Sequence, residues 1–96
     1  MTMQFLITAY DGTDDEALDR RMAARDNHLA RGKSFSDSGN ILKGGAILSD
    51  TGTMIGSVLL VDFASKAEVE KWIEADPYVA GNVWKEVTIV EIKLAF

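Results

Sequence analysis

Ile41-Leu42-Lys43-Gly44-Gly45-Ala46-Ile47-Leu48, then Ser49-Asp50-Thr51-Gly52, then Met54-Ile55-Gly56-Ser57-Val58-Leu59-Leu60-Val61-Asp62-Phe63 is the stretch that decides the fold. Two β-rich runs flank a short connection with the Asp, Thr and Gly chemistry of a hairpin. Gly44 and Gly45 inside the first run mark a bulge or the close approach of another backbone. Val58-Leu59-Leu60-Val61 is apolar at both parities, the pattern of a strand covered on both faces.

Upstream of this hairpin, residues 3–10 form a first strand and Asp11-Gly12 closes it with a turn. Thr13 or Asp14 is placed to cap a helix, with Asp15 and Glu16 in the first turn where negative charge suits the dipole. The helix is expected from Asp15 to about Gly32. Leu18, Met22, Arg25 and Leu29 make one stripe along it, and Asp19, Arg20, Asp26 and Arg31 fill much of the rest. Gly32 and Lys33 fit its C-terminus, and Phe35 to Asn40 reads as a loop.

Downstream, Ser65-Lys66-Ala67-Glu68 is a capping box that opens a second helix. Val69, Trp72 and Ile73 share one face of that helix, which ends near Ala75. Asp76 precedes the chain's only proline and is thereby disfavoured from the α conformation. Tyr78 to Val83 reads as an irregular or one-turn segment, and Val87 to Phe96 alternates as the last strand.

The order β-α-β-β-α-β is the ferredoxin-like α+β pattern, a four-stranded antiparallel sheet with two helices on one face. The 96 residues suffice for one domain, spanning 1–96. The other sheet face then needs a cover, and a second copy packed sheet against sheet, a homodimer, supplies it.

Composition excludes several classes of function. The formal net charge of −5 argues against nucleic acid or an anionic membrane surface as partner. The chain has no cysteine, which removes disulfides, thiolate nucleophiles and cysteine-ligated metals. No run approaches the roughly 20 apolar residues of a membrane span, and the N-terminus lacks the basic segment of a signal peptide. These features point to the cytoplasm. One histidine without cysteine does not make a zinc site, the glycines have no nucleotide-binding spacing, and Ser34, Ser36 and Ser38 lie in no nucleophile elbow, so neither cofactor nor metal is expected.

His28, the only histidine, is the first candidate for chemistry, because an imidazole exchanges protons near neutral pH. It is turned about 80° from Leu18 on a regular helix, at the margin of the apolar stripe, with Arg21 and Arg25 on the same edge. Asp76 is the second candidate. Each has a structural alternative: a boundary histidine bonded to a carbonyl, and an aspartate that shapes a turn through backbone N–H groups. Trp72 and Trp84 read as packing residues.

These stretches resemble the YciI (YCII-related) family of the dimeric α+β barrel group. The resemblance covers most of the chain. It rests on Arg21 to Leu29 of the first helix, Gly39 to Gly45 entering the second strand, Gly56 to Ser65, and above all Ala75-Asp76-Pro77-Tyr78. It implies a ferredoxin-like protomer, a face-packed homodimer, and a pocket where His28 and Asp76 meet as acid–base machinery. The chain departs from the family pattern in having Gly45-Ala46 in place of Gly-Pro, which alters one pocket wall. The connection between strands two and three is too short for a lid.

The expected function is general acid–base catalysis on a small polar carbonyl or carboxylate metabolite, of lyase, isomerase or dehalogenase type. His28 and Asp76 are the catalytic pair, Tyr78 donates to a developing oxyanion, and Arg25 pairs with a substrate carboxylate. The alternative is a non-catalytic dimeric module that binds a metabolite or a protein and uses His28 and Asp76 as a structural pair.

Overall fold

The computed structural model describes residues 1–96. Strand β1 (Met3–Asp11) leads into helix α1 (Ala17–Asp37). The hairpin β2 (Ile41–Leu48) and β3 (Met54–Phe63) follows, then α2 (Lys66–Glu74), the one-turn helix α3 (Pro77–Ala80) and β4 (Trp84–Ile92). The sheet order is β2-β3-β1-β4, with every neighbouring pair antiparallel. This is the ferredoxin-like α+β fold expected from the order of elements.

Register fixes the two faces of the sheet, because side chains alternate with a period of two. Val61 and Phe5 pair across β3 and β1, as do Leu59 with Ile7 and Ser57 with Ala9. All six are buried against the helices. Val69, Trp72 and Ile73 of α2 close the core from above, joined by Tyr78, Val83 and Trp84. The opposite parity places Leu60, Leu6 and Val90 in one row and Val58, Thr8 and Thr88 in the next. No helix covers this second face, and Val90 stays 48% exposed.

Helix α1 departs from expectation in three ways. It continues five residues beyond Gly32, because Phe35 packs edge-on against Trp72 with ring centroids 5.8 Å apart. The stop is Gly39 instead, in the left-handed region at φ 86°, with Asn40 N–H donating to the Phe35 carbonyl at 2.9 Å. That is a Schellman closure, which needs a residue without Cβ strain at this point. At the other end neither Thr13 nor Asp14 caps the helix. The Asp14 carboxylate is taken by Arg20, which donates to both of its oxygens at 2.7 Å and holds its carboxyl well below the usual carboxylate range.

The third departure is which side of α1 faces inward. Leu18, Met22 and Leu29 are 40%, 50% and 48% exposed, whereas Ala17 and Arg21 are buried. The apolar stripe therefore does not mark the core face. Ala17, Arg21, Ala24, His28 and Phe35 do.

The remaining boundaries follow local chemistry. Ser65 Oγ accepts the Glu68 N–H at 3.2 Å and starts α2, the first half of the expected capping box; the Glu68 carboxylate accepts no return bond from the Ser65 N–H. Strand β4 begins at Trp84 rather than Val87, bridged to Asp11 beyond a register shift. It ends at Ile92, and Leu94 N–H donates to the Gln4 side chain instead of continuing the ladder.

A candidate active site between the first helix and the Asp-Pro-Tyr turn

Pro77 sits at the first position of α3, where its missing N–H costs nothing. Asp76 before it is extended, at φ −73° and ψ 138°, and its Oδ1 accepts the Tyr78 N–H at 2.9 Å. The turn thus pins one face of the carboxylate. Gly81 lets this turn approach α1 closely, since a Cβ there would lie 3.2 Å from the Ala24 methyl and 2.9 Å from the Pro77 carbonyl. One turn of helix further along α1 from Ala24, His28 meets the carboxylate.

His28 Nδ1 lies 2.8 Å from Asp76 Oδ1. Arg31 Nη1 donates to Asp76 Oδ2 at 3.1 Å, and its Nη2 donates to the Trp72 carbonyl at 2.7 Å. Asp76 is 3% exposed, so its charge is held by these three donors and not by water. A carboxylate facing Arg31 accepts hydrogen bonds only, which assigns the proton to His28 Nδ1 and leaves Nε2 as the free ring nitrogen. Asp76 therefore shapes its turn and binds the histidine at once. The two readings open from sequence describe the same carboxylate.

Tyr78 lies flat against the imidazole, with ring centroids 3.8 Å apart and planes 14° from parallel. Trp84 meets the imidazole edge-on at 5.7 Å. Burial pushes the Tyr78 phenol above its ordinary pKa, opposed in part by the Arg21 charge. Tyr78 accordingly stays a neutral donor, and its hydroxyl makes no hydrogen bond within the protein.

A cavity of about 440 Å³ opens beside this group. Arg21, Arg25, His28, Ser57 and Tyr78 supply its polar lining, with Leu29, Ile41 and Leu59 among its apolar walls. Small residues on β2 make the room. A Cβ at Gly44 would fall 2.6 Å from Leu59 Cδ2, so a larger residue there would displace the wall. Ala46 stands opposite Ser57 on the same sheet face.

The structure thus brings His28, Asp76 and Tyr78 together and puts Arg25 on the cavity wall without an ion-pair partner. Four further residues, Arg31, Arg21, Trp84 and Ser57, complete the cluster. Arg31 lies off the apolar stripe of α1, and its place three residues after His28 puts it on the same helix face. Arg21 is sealed rather than marginal, donating to both oxygens of Asp11 at 3.0 and 3.1 Å and to Ser57 Oγ at 3.0 Å. Trp84 does more than pack, since its Nε1 donates to the same Ser57 oxygen at 3.1 Å. A polar residue at an inward register position, Ser57 between Gly56 and Val58, was the signal available for that cluster.

The YCII-related domain model matches residues 3–93. Protein YciI of Escherichia coli is 33% identical over 98% of this chain and all of its own length. Among solved structures, the 5-chloro-2-hydroxyhydroquinone dehydrochlorinase TftG of Burkholderia phenoliruptrix AC1100 superposes with a TM-score of 0.82 at 27% identity. That match covers 95% of this chain and 94% of that one, which was solved in complex with 2,5-dihydroxybenzoquinone. A dimeric protein of unknown function and ferredoxin-like fold from Bacteroides fragilis shares the fold at 14% identity and a TM-score of 0.55, over 97% of this chain and 96% of that one. With its full β-α-β-β-α-β unit and the Asp-Pro-Tyr turn in place, the chain belongs to the YCII-related domain family.

Proposed function

We propose that the protein is a cofactor-independent enzyme that moves a proton at a carbon or oxygen next to a carbonyl, with elimination or isomerisation of a small polar substrate. The observation that carries this reading is the 2.8 Å contact between His28 Nδ1 and Asp76 beside an open cavity. A base needs a free nitrogen of fixed tautomer within reach of substrate, and Asp76 fixes it. In an elimination, Nε2 takes the substrate proton, the electron pair forms the new double bond, and the leaving group departs as an anion. The same imidazole, now protonated, returns its proton to solvent or product. Tyr78 donates to the oxygen that gains charge, and Arg25 pairs with an anionic group of the substrate. The dehydrochlorinase named above supports elimination as the reaction type and a hydroxylated ring as a first substrate to try.

We place the working unit as a homodimer closed through the open sheet face, with Leu6, Leu60 and Val90 at its centre, in keeping with the dimeric proteins that share the fold. The absence of cysteine suits a cytoplasmic setting.

The test is chloride release from 5-chloro-2-hydroxyhydroquinone by the wild type and by His28→Ala, with melting temperatures alongside. The proposal expects turnover in the wild type, at least about a hundredfold loss in the variant, and a folded variant. The alternative, a binding module with a structural His28–Asp76 pair, is favoured by the depth of Asp76. It expects no turnover in either protein and a lower melting temperature in the variant.

A further inference from the structure

The cavity beside His28 is rich in donors and poor in acceptors. Ser57 Oγ accepts two N–H groups, Arg21 Nη2 at 3.0 Å and Trp84 Nε1 at 3.1 Å, which use its two lone pairs. Its own O–H donates to no protein group. Arg21 is 3% exposed, yet its Nε has no hydrogen-bond partner. A buried donor without an acceptor is costly, so the Arg21 Nε–H and the spare Ser57 O–H invite an acceptor from outside, whereas Trp72 Nε1, the other unpartnered buried donor, lies off this cavity.

The electrostatics agree. Arg21, Arg25, His28 and Lys33 line this cavity, and no aspartate or glutamate does, in a chain of net charge −5. Asp11 matches the charge of Arg21 at 3.0 Å and Asp37 that of Lys33, which leaves Arg25 as the lining guanidinium with no counter-ion. The larger groove of about 880 Å³ at the end of β1 carries Asp11, Asp14, Asp15 and Glu86, with Lys85 as its one basic residue. Acidic residues are thus kept off this cavity, whereas they crowd the larger groove.

We infer that Ser57 and Arg21 form an oxyanion seat on the sheet floor of the cavity, taking an enolate, phenolate or carboxylate oxygen of a small ligand. The Ser57 O–H and the Arg21 Nε–H donate to that oxygen, and Arg25 at the wall balances its charge. Donation from Arg21 and Trp84 into Ser57 Oγ polarises the hydroxyl and makes it a stronger donor. The Asp11 carboxylate holds the Arg21 fork in place from the far side. This inference rests on reading the cavity as the substrate site, but it does not need His28 to be a base.

The probe is 2,5-dihydroxybenzoquinone, an acidic ring that is anionic at neutral pH, with hydroquinone as its neutral counterpart. Calorimetric titration of the wild type is expected to show at least a tenfold preference for the anion. Ser57→Ala is expected to weaken anion binding by about 10- to 100-fold, the loss for a hydrogen bond to a charged group. Ser57→Thr, which keeps the hydroxyl, is expected to stay within about threefold of wild type. A purely structural Ser57 would lower the melting temperature of Ser57→Ala and leave the affinity of the folded protein unchanged, which overturns the seat. Equal binding of the two rings by the wild type, or no binding of the anion, also overturns it, and neither reading depends on a variant that folds. His28→Ala separates the two proposals: loss of turnover with anion binding retained supports both, and turnover retained with Ser57→Ala impaired leaves the seat standing and removes the base.

Discussion

His28 and Asp76 are 48 residues apart in the chain and 2.8 Å apart in space, joined through Nδ1 and Oδ1. The same Oδ1 accepts the Tyr78 N–H, and Oδ2 accepts Arg31. One carboxylate therefore ties α1 to the turn after α2 and sets which nitrogen of the imidazole stays free.

Asp76→Asn separates these duties. Asparagine caps a helix start nearly as well as aspartate, so the turn survives, while an amide N–H facing Arg31 in place of a carboxylate oxygen lowers stability by about 1–3 kcal/mol. The amide no longer offers a carboxylate to Nδ1, and kcat/KM is expected to fall by at least about a hundredfold. Steady-state kinetics beside a thermal melt check this. Asp76→Ala loses the cap as well and is expected to be less stable than Asp76→Asn.

Arg31→Leu leaves Asp76 Oδ2 and the Trp72 carbonyl without their donor. The expected cost is about 1–3 kcal/mol, measured by urea denaturation, because charged hydrogen bonds of a partly buried group fall in that range. Lys33→Leu, which removes an exposed pair on the same helix, is expected to change stability by less than about 1 kcal/mol.

Asp11→Ala breaks the buried pair with Arg21 and strands a guanidinium away from water. Loss of one partner of such a pair costs about 3–5 kcal/mol. The double change Asp11→Leu with Arg21→Met is expected to recover much of that loss, since no unpaired charge remains. Denaturant midpoints of the wild type and the two variants give the comparison.

Tyr78 is expected to ionise later than an ordinary tyrosine on raising the pH. Its folded pKa lies above the unfolded value of about 10, chiefly through burial, so the stability it contributes is fully present below that value. It is lost as pH rises from there through the folded pKa, where the unfolded chain gives up the proton first. In Tyr10→Phe, which leaves Tyr78 as the one tyrosine, phenolate absorbance is expected to appear above pH 10 together with unfolding. Absorbance at an ordinary midpoint without loss of structure would contradict the burial argument.

Charge placed on the open sheet face is expected to split the proposed dimer. Val90→Lys and Leu60→Lys each put a cation into the row Leu60–Leu6–Val90, and desolvating it against a second copy is unfavourable. Sedimentation equilibrium is expected to show a dimer for wild type and monomers for the variants.

Much of this arrangement was legible in sequence. The hairpin, the capping box and the alternation of the outer strands fix the order of elements, and the proline after Asp76 forces the turn that presents its carboxylate. What was not legible is the inward face of α1. Leu18, Met22 and Leu29 make the better apolar stripe, but Arg21 goes inside, because Asp11, Ser57 and the Tyr78 ring, 4.8 Å below its guanidinium, await it from other elements. A single-helix pattern carries no trace of partners 10 and 36 residues away. Gly32 misled for a related reason: packing of Phe35 on Trp72 outweighs a local stop signal, and the left-handed turn at Gly39 ends the helix instead.

His28 is the only histidine, so its ring nitrogens give isolated signals in a two-bond nitrogen–proton correlation spectrum of the labelled protein. Recorded above pH 8, where an imidazole is ordinarily neutral, with and without 2,5-dihydroxybenzoquinone, this spectrum tests the free base directly. The account predicts the proton on Nδ1, a bare Nε2, and an Nε2 shift that moves when the ring binds. A proton on Nε2, or an Nε2 signal unmoved by bound ligand, would contradict it.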